Sequence, residues 1–468
     1  MLDSIFREYD IRGVIDNDFP LIETYNLGRA IATYLKNNTL PFTHVVIGRD
    51  ARTHSTPICT ALIQAFSDSG INVIDIGIVP TPVFYFAMHH LKQTAGLVIT
   101  ASHNPKEYNG IKFWGLWGSQ IQAIKLIYQT KNFLSIPNNP GNKTTYLTII
   151  DEYIAYLVNH FAHLKNIPID TVFDCGNGMA GAVMPKLIKQ MNWKNAPLLF
   201  EEVDGEFPNH EADPTEPENM RFVQHALKVN QSISLGIGFD GDCDRMGPML
   251  KNGSLVPGDK LLALFAQKVL KENPHAGVVF DIKASSALMD VLSSLGAQQI
   301  LSPSGHSNIK DAIKKNPAIL LGGELSCHFF FNDRYFGYDD AFYAALRLIE
   351  MLYESRSTLE QLLTIIPMRI SSREIRIKCR SDAEKIAIVN HVKQLFLTKK
   401  NVELITIDGL RAQMPYGWGL IRASNTQPVV SLRFESNTIE GITRVKNDFS
   451  QALDGFFTST ELDNAIAQ

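Results

Sequence analysis

A chain of 468 residues is too long for one hydrophobic core, so length alone argues for three or four domains with a cleft between them. Its 45% hydrophobic and 20% charged residues exclude disorder. With 44 basic against 48 acidic residues, a net charge of -4, the chain has no field to draw nucleic acid or an anionic membrane, and any anion it binds is bound locally.

Five scattered cysteines without a Cys-x-x-Cys pair argue against a zinc site or a disulfide framework and fit a reducing compartment. Met1 to Glu8 carries early acidic residues and no apolar core, so it is not expected to be a secretory signal. No apolar run reaches the ~18 residues a membrane span requires, and we expect a cytoplasmic protein.

In chain order, Phe6 to Gly13 packs four charges and two aromatics ahead of a glycine and is expected to be a loop. Its Arg12 suits either a phosphate clamp or a surface arginine held by Asp10. Helical spacing follows from Tyr25 to Asn37, then a strand at His44 to Arg49 that exits at Asp50. That strand pattern returns at Thr171 to Asp174 and Gly277 to Asp281, each time followed by a helical pattern, at Ala182 to Met191 and Ser286 to Leu295. The recurrence predicts three related α/β units with mixed or parallel sheets, whose ligands sit at the carboxyl ends of the strands. Ser135 to Asn142, rich in Pro, Gly and Asn, reads as a loop near a boundary. From Pro367 the pattern changes to alternating strands and two helices, Asp382 to Leu397 and Thr438 to about Phe456, an α+β domain of another kind. We expect divisions at 1–146, 147–250, 251–366 and 367–468.

Several segments carry chemistry. The apolar run Gly96 to Ile99 stops at Thr100-Ala101-Ser102-His103-Asn104-Pro105, which is expected to present the Ser102 hydroxyl at the lip of a sheet rather than bury it. Asp240, Asp242 and Asp244 alternate directly after a strand; three carboxylates converging in one loop repel unless a cation lies among them, and all-oxygen ligation selects Mg²⁺ or Ca²⁺. An EF-hand needs Gly at loop position six and Glu at twelve, where this chain has Arg245 and Lys251. A nucleophilic-aspartate phosphatase or a solvated acidic turn are the other readings of the same loop. Arg245 beside the carboxylates suggests an anion such as phosphate as the metal's other neighbour. Gly322-Gly323-Glu324-Leu325-Ser326 allows close backbone approach and offers two groups suited to vicinal hydroxyls, or it is a solvated glycine turn. Arg422-Ala423-Ser424-Asn425-Thr426 has the parts of a phosphate nest, or of a polar hairpin loop. His306 and Lys112 add groups suited to moving protons.

Taken together, Tyr9-Asp10-Ile11-Arg12-Gly13, Thr100 to Pro105, Asp240 to Arg245, Gly323 to Ser326 and Arg422 to Thr426 resemble the α-D-phosphohexomutase family, specifically its bacterial phosphomannomutase/phosphoglucomutase group. Five motifs in family order span nearly the whole chain. The resemblance implies a heart-shaped molecule, with three related α/β domains and a carboxyl-terminal α+β domain around one cleft. It further implies that Ser102 is a phosphoserine, and that its phosphate binds one Mg²⁺ with Asp240, Asp242 and Asp244. Hexose 1,6-bisphosphate would then serve as intermediate and activator. By the same resemblance Arg245 and Lys283 contact substrate, Glu324 and Ser326 read the sugar, and Arg422, Ser424, Asn425 and Thr426 hold the non-reacting phosphate. Tyr9, Arg12, Lys112, His306 and His328 match cleft positions, with Lys112 the first choice for proton transfer and His103 a support for the phosphoserine. One departure stands out: Cys327 occupies a position where the family usually has glycine, and a side chain there narrows the pocket or shifts His328.

The expected activity is reversible interconversion of hexose 1-phosphate and hexose 6-phosphate by a monomer that needs no nucleic acid or membrane. A phosphoglucosamine mutase is the nearest rival, argued against by Leu325 where that group typically has Gln. A catalytically silent sugar-phosphate sensor is the rival of another class, and it is disfavoured because Ser102 and all three aspartates are present.

Overall fold

The computed structural model describes residues 1–38, 41–424, 428–458 and 462. The chain packs as two compact units, the first formed by Met1–Pro257 with Ser326–Phe330 and Tyr338–Glu360, the second by Gly258–Leu325 with Phe331–Gly337 and the chain from Gln361 on.

In the first unit a six-stranded sheet runs in the order Asp10–Val14, Tyr108–Phe113, Ala95–Ile99, His44–Arg49, Asn72–Ile78, Lys143–Thr145. His44–Arg49 lies parallel to both neighbours, while Tyr108–Phe113 is antiparallel to its own. Strands buried on both faces need apolar residues throughout, and Val45, Val46 and Ile47 are fully buried. Helices Thr24–Asn38, Ser55–Asp68 and Ser119–Thr130 share a core with this sheet, Leu27, Ile31, Leu62 and Phe66 packing with Ile47, Leu97 and Ile99. Gly28 permits the first two helices to meet, since an added Cβ would stand 2.6 Å from the Cβ of Ala65.

The segment expected as a loop around Arg12 is instead the edge strand Asp10–Val14, with Asp10 opposite Lys112. Edge strands tolerate charge, and the two-residue period puts Asp10 and Arg12 on one face, where they pair. A second sheet in this unit orders Met246–Leu250, Leu235–Phe239, Thr171–Asp174, Leu198–Leu199 around a core that includes Val172, Val223 and Leu227.

The second unit holds parallel strands Gln298–Ser302, Gly277–Asp281 and Ile319–Gly323, with helices Gly258–Glu272, Ser286–Ser294 and His306–Lys315. Its carboxyl-terminal part is antiparallel: Val429–Ser436 pairs with Gly417–Ala423, which pairs with Leu410–Met414 and so on to Glu403–Ile405. Helices Asp382–Leu397 and Ile439–Leu453 bury Ile388, Phe396, Val445 and Phe449 against it. The chain is thus three related α/β domains followed by an α+β domain, as the sequence pattern predicts. Ala182 to Met191, expected as one helix, divides into a 3-10 turn at Met179–Ala182 and the helix Met184–Met191. Two of the three recurring aspartates share a local reason: Asp50 and Asp174 each accept from the backbone N–H two residues on, at 3.0 and 2.9 Å, turning the chain as it leaves the sheet.

Candidate active site

The buried strand Ala95–Ile99 delivers the chain to Ser102, whose backbone takes the left-handed conformation at φ +53°. That conformation costs a non-glycine residue about 1–2 kcal/mol, so the surroundings must hold it. The Ser102 N–H donates to Thr100 Oγ1 at 3.0 Å. Contrary to the expectation of a presented serine, Ser102 is only 2% exposed, because the aspartate loop folds over it. An added Cβ on Gly241 would lie 2.5 Å from the Ser102 carbonyl oxygen, so glycine permits the approach.

The aspartate loop connects Leu235–Phe239 to its antiparallel partner Met246–Leu250. Asp240, Asp242 and Asp244 are all buried, and their carboxylate oxygens lie within 4.8 Å of one another. Ser102 Oγ donates to Asp240 Oδ2 at 2.7 Å and lies 3.2 Å from His103 Nδ1. Lys112 Nζ donates to Asp242 Oδ2 at 2.6 Å and to Asp244 Oδ2 at 2.5 Å. Thr81 Oγ1 gives Asp242 Oδ2 a further bond at 2.6 Å.

Burial and the charges of Asp244 and Asp242 push the Asp240 carboxyl well above the usual carboxylate range. Burial acts the same way on Asp244, but Lys112 and His328 outweigh it and hold that carboxyl well below. For Lys112, burial opposes the ammonium, and the attraction of Asp242 and Asp244 more than offsets it. His103 is held well below the ordinary imidazole range by burial of its ring, then by Arg245 and Arg12, although the residue as a whole is half-exposed.

These residues fit a cation. Asp242 Oδ1 is buried without a hydrogen-bond partner, and the bonds of Lys112 go to Asp242 and Asp244, while the Asp240 carboxyl is pushed up by burial and by its two neighbours. An all-oxygen donor set favours a hard divalent ion.

Other expected residues join the same cluster. Arg12 donates to Asn104 Oδ1 at 2.7 Å and to the Ala101 carbonyl at 3.3 Å, which ties it to the serine loop and not only to Asp10. Arg245 Nε donates to His328 Nε2 at 3.1 Å, His328 Nε2 lies 3.2 Å from Asp244 Oδ1, and Ser326 Oγ is 3.2 Å from His328 Nδ1. Tyr9 is half-buried in the bend before Asp10–Val14. Cys327 is buried and adopts φ +67°, a conformation in which glycine is at ease.

In the second unit Lys283 Nζ reaches Glu374 Oε2 at 3.2 Å and Asp281 Oδ2 at 3.6 Å. Burial disfavours the charges on Lys283 and Glu374 alike, yet their mutual attraction wins, raising Lys283 and lowering Glu374 to about 2. Glu324 Oε1 accepts from the Gly305 N–H at 2.7 Å, directly before His306 opens its helix. Arg422 Nε donates to Asp408 Oδ2 at 2.8 Å, and Asp408 also accepts from the Ser304 N–H. The Ser424 carbonyl receives Lys385 Nζ at 2.6 Å. Asn425 and Thr426 lie outside the described residues.

Sequence reasoning missed Thr81, Asp408, Glu374 and above all Arg52, whose guanidinium reaches the serine loop from behind. A signal for Arg52 was present: it stands two residues after Asp50, at the end of a strand already singled out.

Fold and site together define a multidomain α/β protein with a buried serine set against a buried carboxylate triad whose oxygens are close enough to share a cation. Models of the phosphoglucomutase/phosphomannomutase family match residues 3–131 (alpha/beta/alpha domain I), 151–253 (domain II), 257–368 (domain III) and 374–452 (C-terminal domain). The chain belongs to this family. It is 40% identical over 455 residues to a phosphomannomutase/phosphoglucomutase of Pseudomonas syringae, covering 96% of this chain and 95% of the relative. It is 38% identical to a phosphoglucomutase of Neisseria meningitidis, covering 96% and 97%. Among solved structures, a phosphoglucomutase/phosphomannomutase family protein from Burkholderia thailandensis superposes with a TM-score of 0.86 at 34% identity, covering 97% of this chain and 98% of that one.

Proposed function

We propose that this chain is a phosphomannomutase/phosphoglucomutase that interconverts hexose 1-phosphate and hexose 6-phosphate, with mannose, glucose or both as the sugar. The observation that carries the reading is the 2.7 Å bond from Ser102 Oγ to Asp240 inside a buried aspartate triad. A hydroxyl held at one corner of a cation site is placed to carry a phosphoryl group.

In this reading phosphorylated Ser102 gives its group to the free hydroxyl of a hexose monophosphate. The serine O–P bond breaks as a sugar O–P bond forms, and the resulting 1,6-bisphosphate returns its other phosphate to Ser102. Lys112, held as an ammonium by Asp242 and Asp244, hands a proton to the departing Ser102 oxygen and takes back the one the sugar hydroxyl loses, while His103 and Arg12 support the serine loop and its phosphate. Phosphoryl transfer asks chiefly for alignment and for neutralised oxygens. Asp240, Asp242 and Asp244, with a phosphate oxygen on Ser102, would hold one Mg²⁺, which when bound neutralises charge on the transferring group.

Arg245 and His328 are assigned to substrate on the first unit. On the second, Lys283 is assigned to substrate, Glu324 together with Ser326 to the sugar, and Arg422, Ser424, Asn425 and Thr426 to the non-reacting phosphate. Tyr9 and His306 complete the assigned set. We keep with this reading a monomeric cytoplasmic enzyme divided after residues 146, 250 and 366. Among the described residues no helix is long and apolar enough to cross a membrane.

The test is turnover of mannose 1-phosphate and glucose 1-phosphate with Mg²⁺ and a trace of sugar bisphosphate, on wild type and Ser102→Ala. Comparable rates on both sugars, lost in the variant, support the dual-specificity reading. Turnover on neither sugar overturns it, and activity on glucosamine phosphate alone identifies the rival mutase.

A further inference from the structure

Behind the serine loop lies a residue that touches neither the aspartate triad nor the Ser102 hydroxyl. The side chain of Arg52 is completely buried, and its guanidinium donates to four carbonyl oxygens of one short segment: Ser102 at 2.8 Å, Asn104 at 2.6 Å, Pro105 at 2.7 Å and Tyr108 at 3.2 Å. Asp50 Oδ2 faces Arg52 Nε at 3.3 Å, and Asp50 Oδ1 accepts from the Arg52 N–H and from Ser55 Oγ, so the carboxylate that aims the arginine is itself held. The Phe207 ring covers the guanidinium at 5.0 Å.

The four carbonyls lie along the loop that leaves the left-handed serine and enters the strand Tyr108–Phe113, and the Pro105 carbonyl also accepts from the Tyr108 N–H. Gathering all four on one cation fixes the path of the loop and commits their negative ends to the guanidinium, where they are not free to face a dianionic phosphoserine. The task requires an arginine. A planar fork with five donors spans carbonyls spread over seven residues, whereas a lysine presents three donors from one point.

We propose that Arg52 is a positioning residue for phosphoryl transfer: by collecting the carbonyls of the segment from Ser102 to Tyr108 it sets the direction of the Ser102 hydroxyl and keeps the loop's negative dipoles off the phosphate. The proposal rests on the mutase reading above. It assigns Arg52 to reactivity at Ser102 and not to substrate binding.

The experiment compares wild type and Arg52→Lys by steady-state kinetics on glucose 1-phosphate, by the rate at which Ser102 takes a phosphoryl group from glucose 1,6-bisphosphate (intact mass), and by amide hydrogen exchange of residues 101–109. The expected result is a fall of about 10²-fold in kcat and in phosphoryl loading, as for a misplacement near 1 Å. KM should stay within about threefold, exchange of the loop should accelerate by at least about tenfold, and the thermal midpoint should move only a few degrees. Asp50→Asn keeps the arginine but loosens its aim, and it should show a smaller loss in the same direction; it decides the matter if Arg52→Lys does not fold.

Wild-type kcat and loading in the folded variants overturn the proposal, as does a loss carried by KM alone or a failure of both variants to fold. These outcomes leave an active wild type and so spare the mutase reading. A wild type that neither turns over hexose phosphates nor takes a phosphoryl group on Ser102 overturns that reading, and the role of Arg52 falls with it.

Discussion

The hydroxyl of Ser102 donates to Asp240 across 2.7 Å, joining the exit loop of the first sheet to the exit loop of the second, 138 positions further along the chain. The bond makes the serine part of the carboxylate cluster. Ser102→Ala removes only this donor and the atom that would carry phosphate. We expect mutase activity to fall on the order of 10³-fold or more, with little change in thermal midpoint. Paired kinetics and calorimetry check both halves of the expectation.

Chelation of divalent ions should destabilise the protein. Asp240 is pushed up by burial and by its two neighbours, which Lys112 and Arg245 offset only in part, and a bound divalent ion would relieve the remainder. At a Mg²⁺ concentration near 100 times its Kd the gain is about 2.7 kcal/mol. Thermal unfolding with EDTA against excess MgCl₂ should show a clear rise with the metal. Asp242→Asn, which neutralises the triad member whose Oδ1 has no hydrogen-bond partner, should weaken Mg²⁺ binding by at least about tenfold in a calorimetric titration.

Lys112 is the cation that two of these carboxylates already have, at 2.6 and 2.5 Å. Lys112→Met leaves Asp242 and Asp244 buried without it, and breaking such a pair costs about 3–5 kcal/mol. Denaturant unfolding in EDTA should reveal that loss, and saturating Mg²⁺ should restore a large part of it. A variant that is as stable as wild type in EDTA would sink this account of the cluster.

In the second unit, Asp281 is fully buried and its carboxyl is pushed from 3.8 up to about 6, by burial first and then by Glu324, with Lys283 acting in the opposite direction. A carboxyl raised on folding favours the folded state when protonated. Its stabilising effect is complete below about pH 4 and is lost as pH rises through about 6. Asp281→Asn removes that dependence, so its stability relative to wild type should improve between pH 5 and pH 8, by roughly 1.5 kcal/mol. Denaturation midpoints of both proteins across that range test the sign.

Much of this organisation is legible in the sequence for local reasons. Strands buried on both faces must be apolar runs, and a strand that stops at Asp followed by a small residue announces its exit turn; Asp50 and Asp174 perform that turn as the repeat predicts. Three alternating aspartates after a strand call for positive charge among them, which Lys112 supplies to Asp242 and Asp244. Charge density around Arg12 does not mark a loop, because Asp10 and Arg12 neutralise each other on one face of the edge strand.

Distance in the chain hid the rest. That Ser102 is covered rather than presented depends on Gly241 lying against its carbonyl, and no local pattern encodes a contact 139 residues away. That Arg52 serves the serine loop depends on two adjacent parallel strands delivering their exit turns side by side. The sequence determined which segments become strands, which residues carry charge and where the chain turns, because those follow from the periodicity and chemistry of neighbouring residues. Which turns meet, which carboxylate Lys112 and Ser102 each engage and which arginine stands behind the reactive hydroxyl were decided only by tertiary packing, because electrostatic and hydrogen-bond energies depend on separation in space and not on separation along the chain.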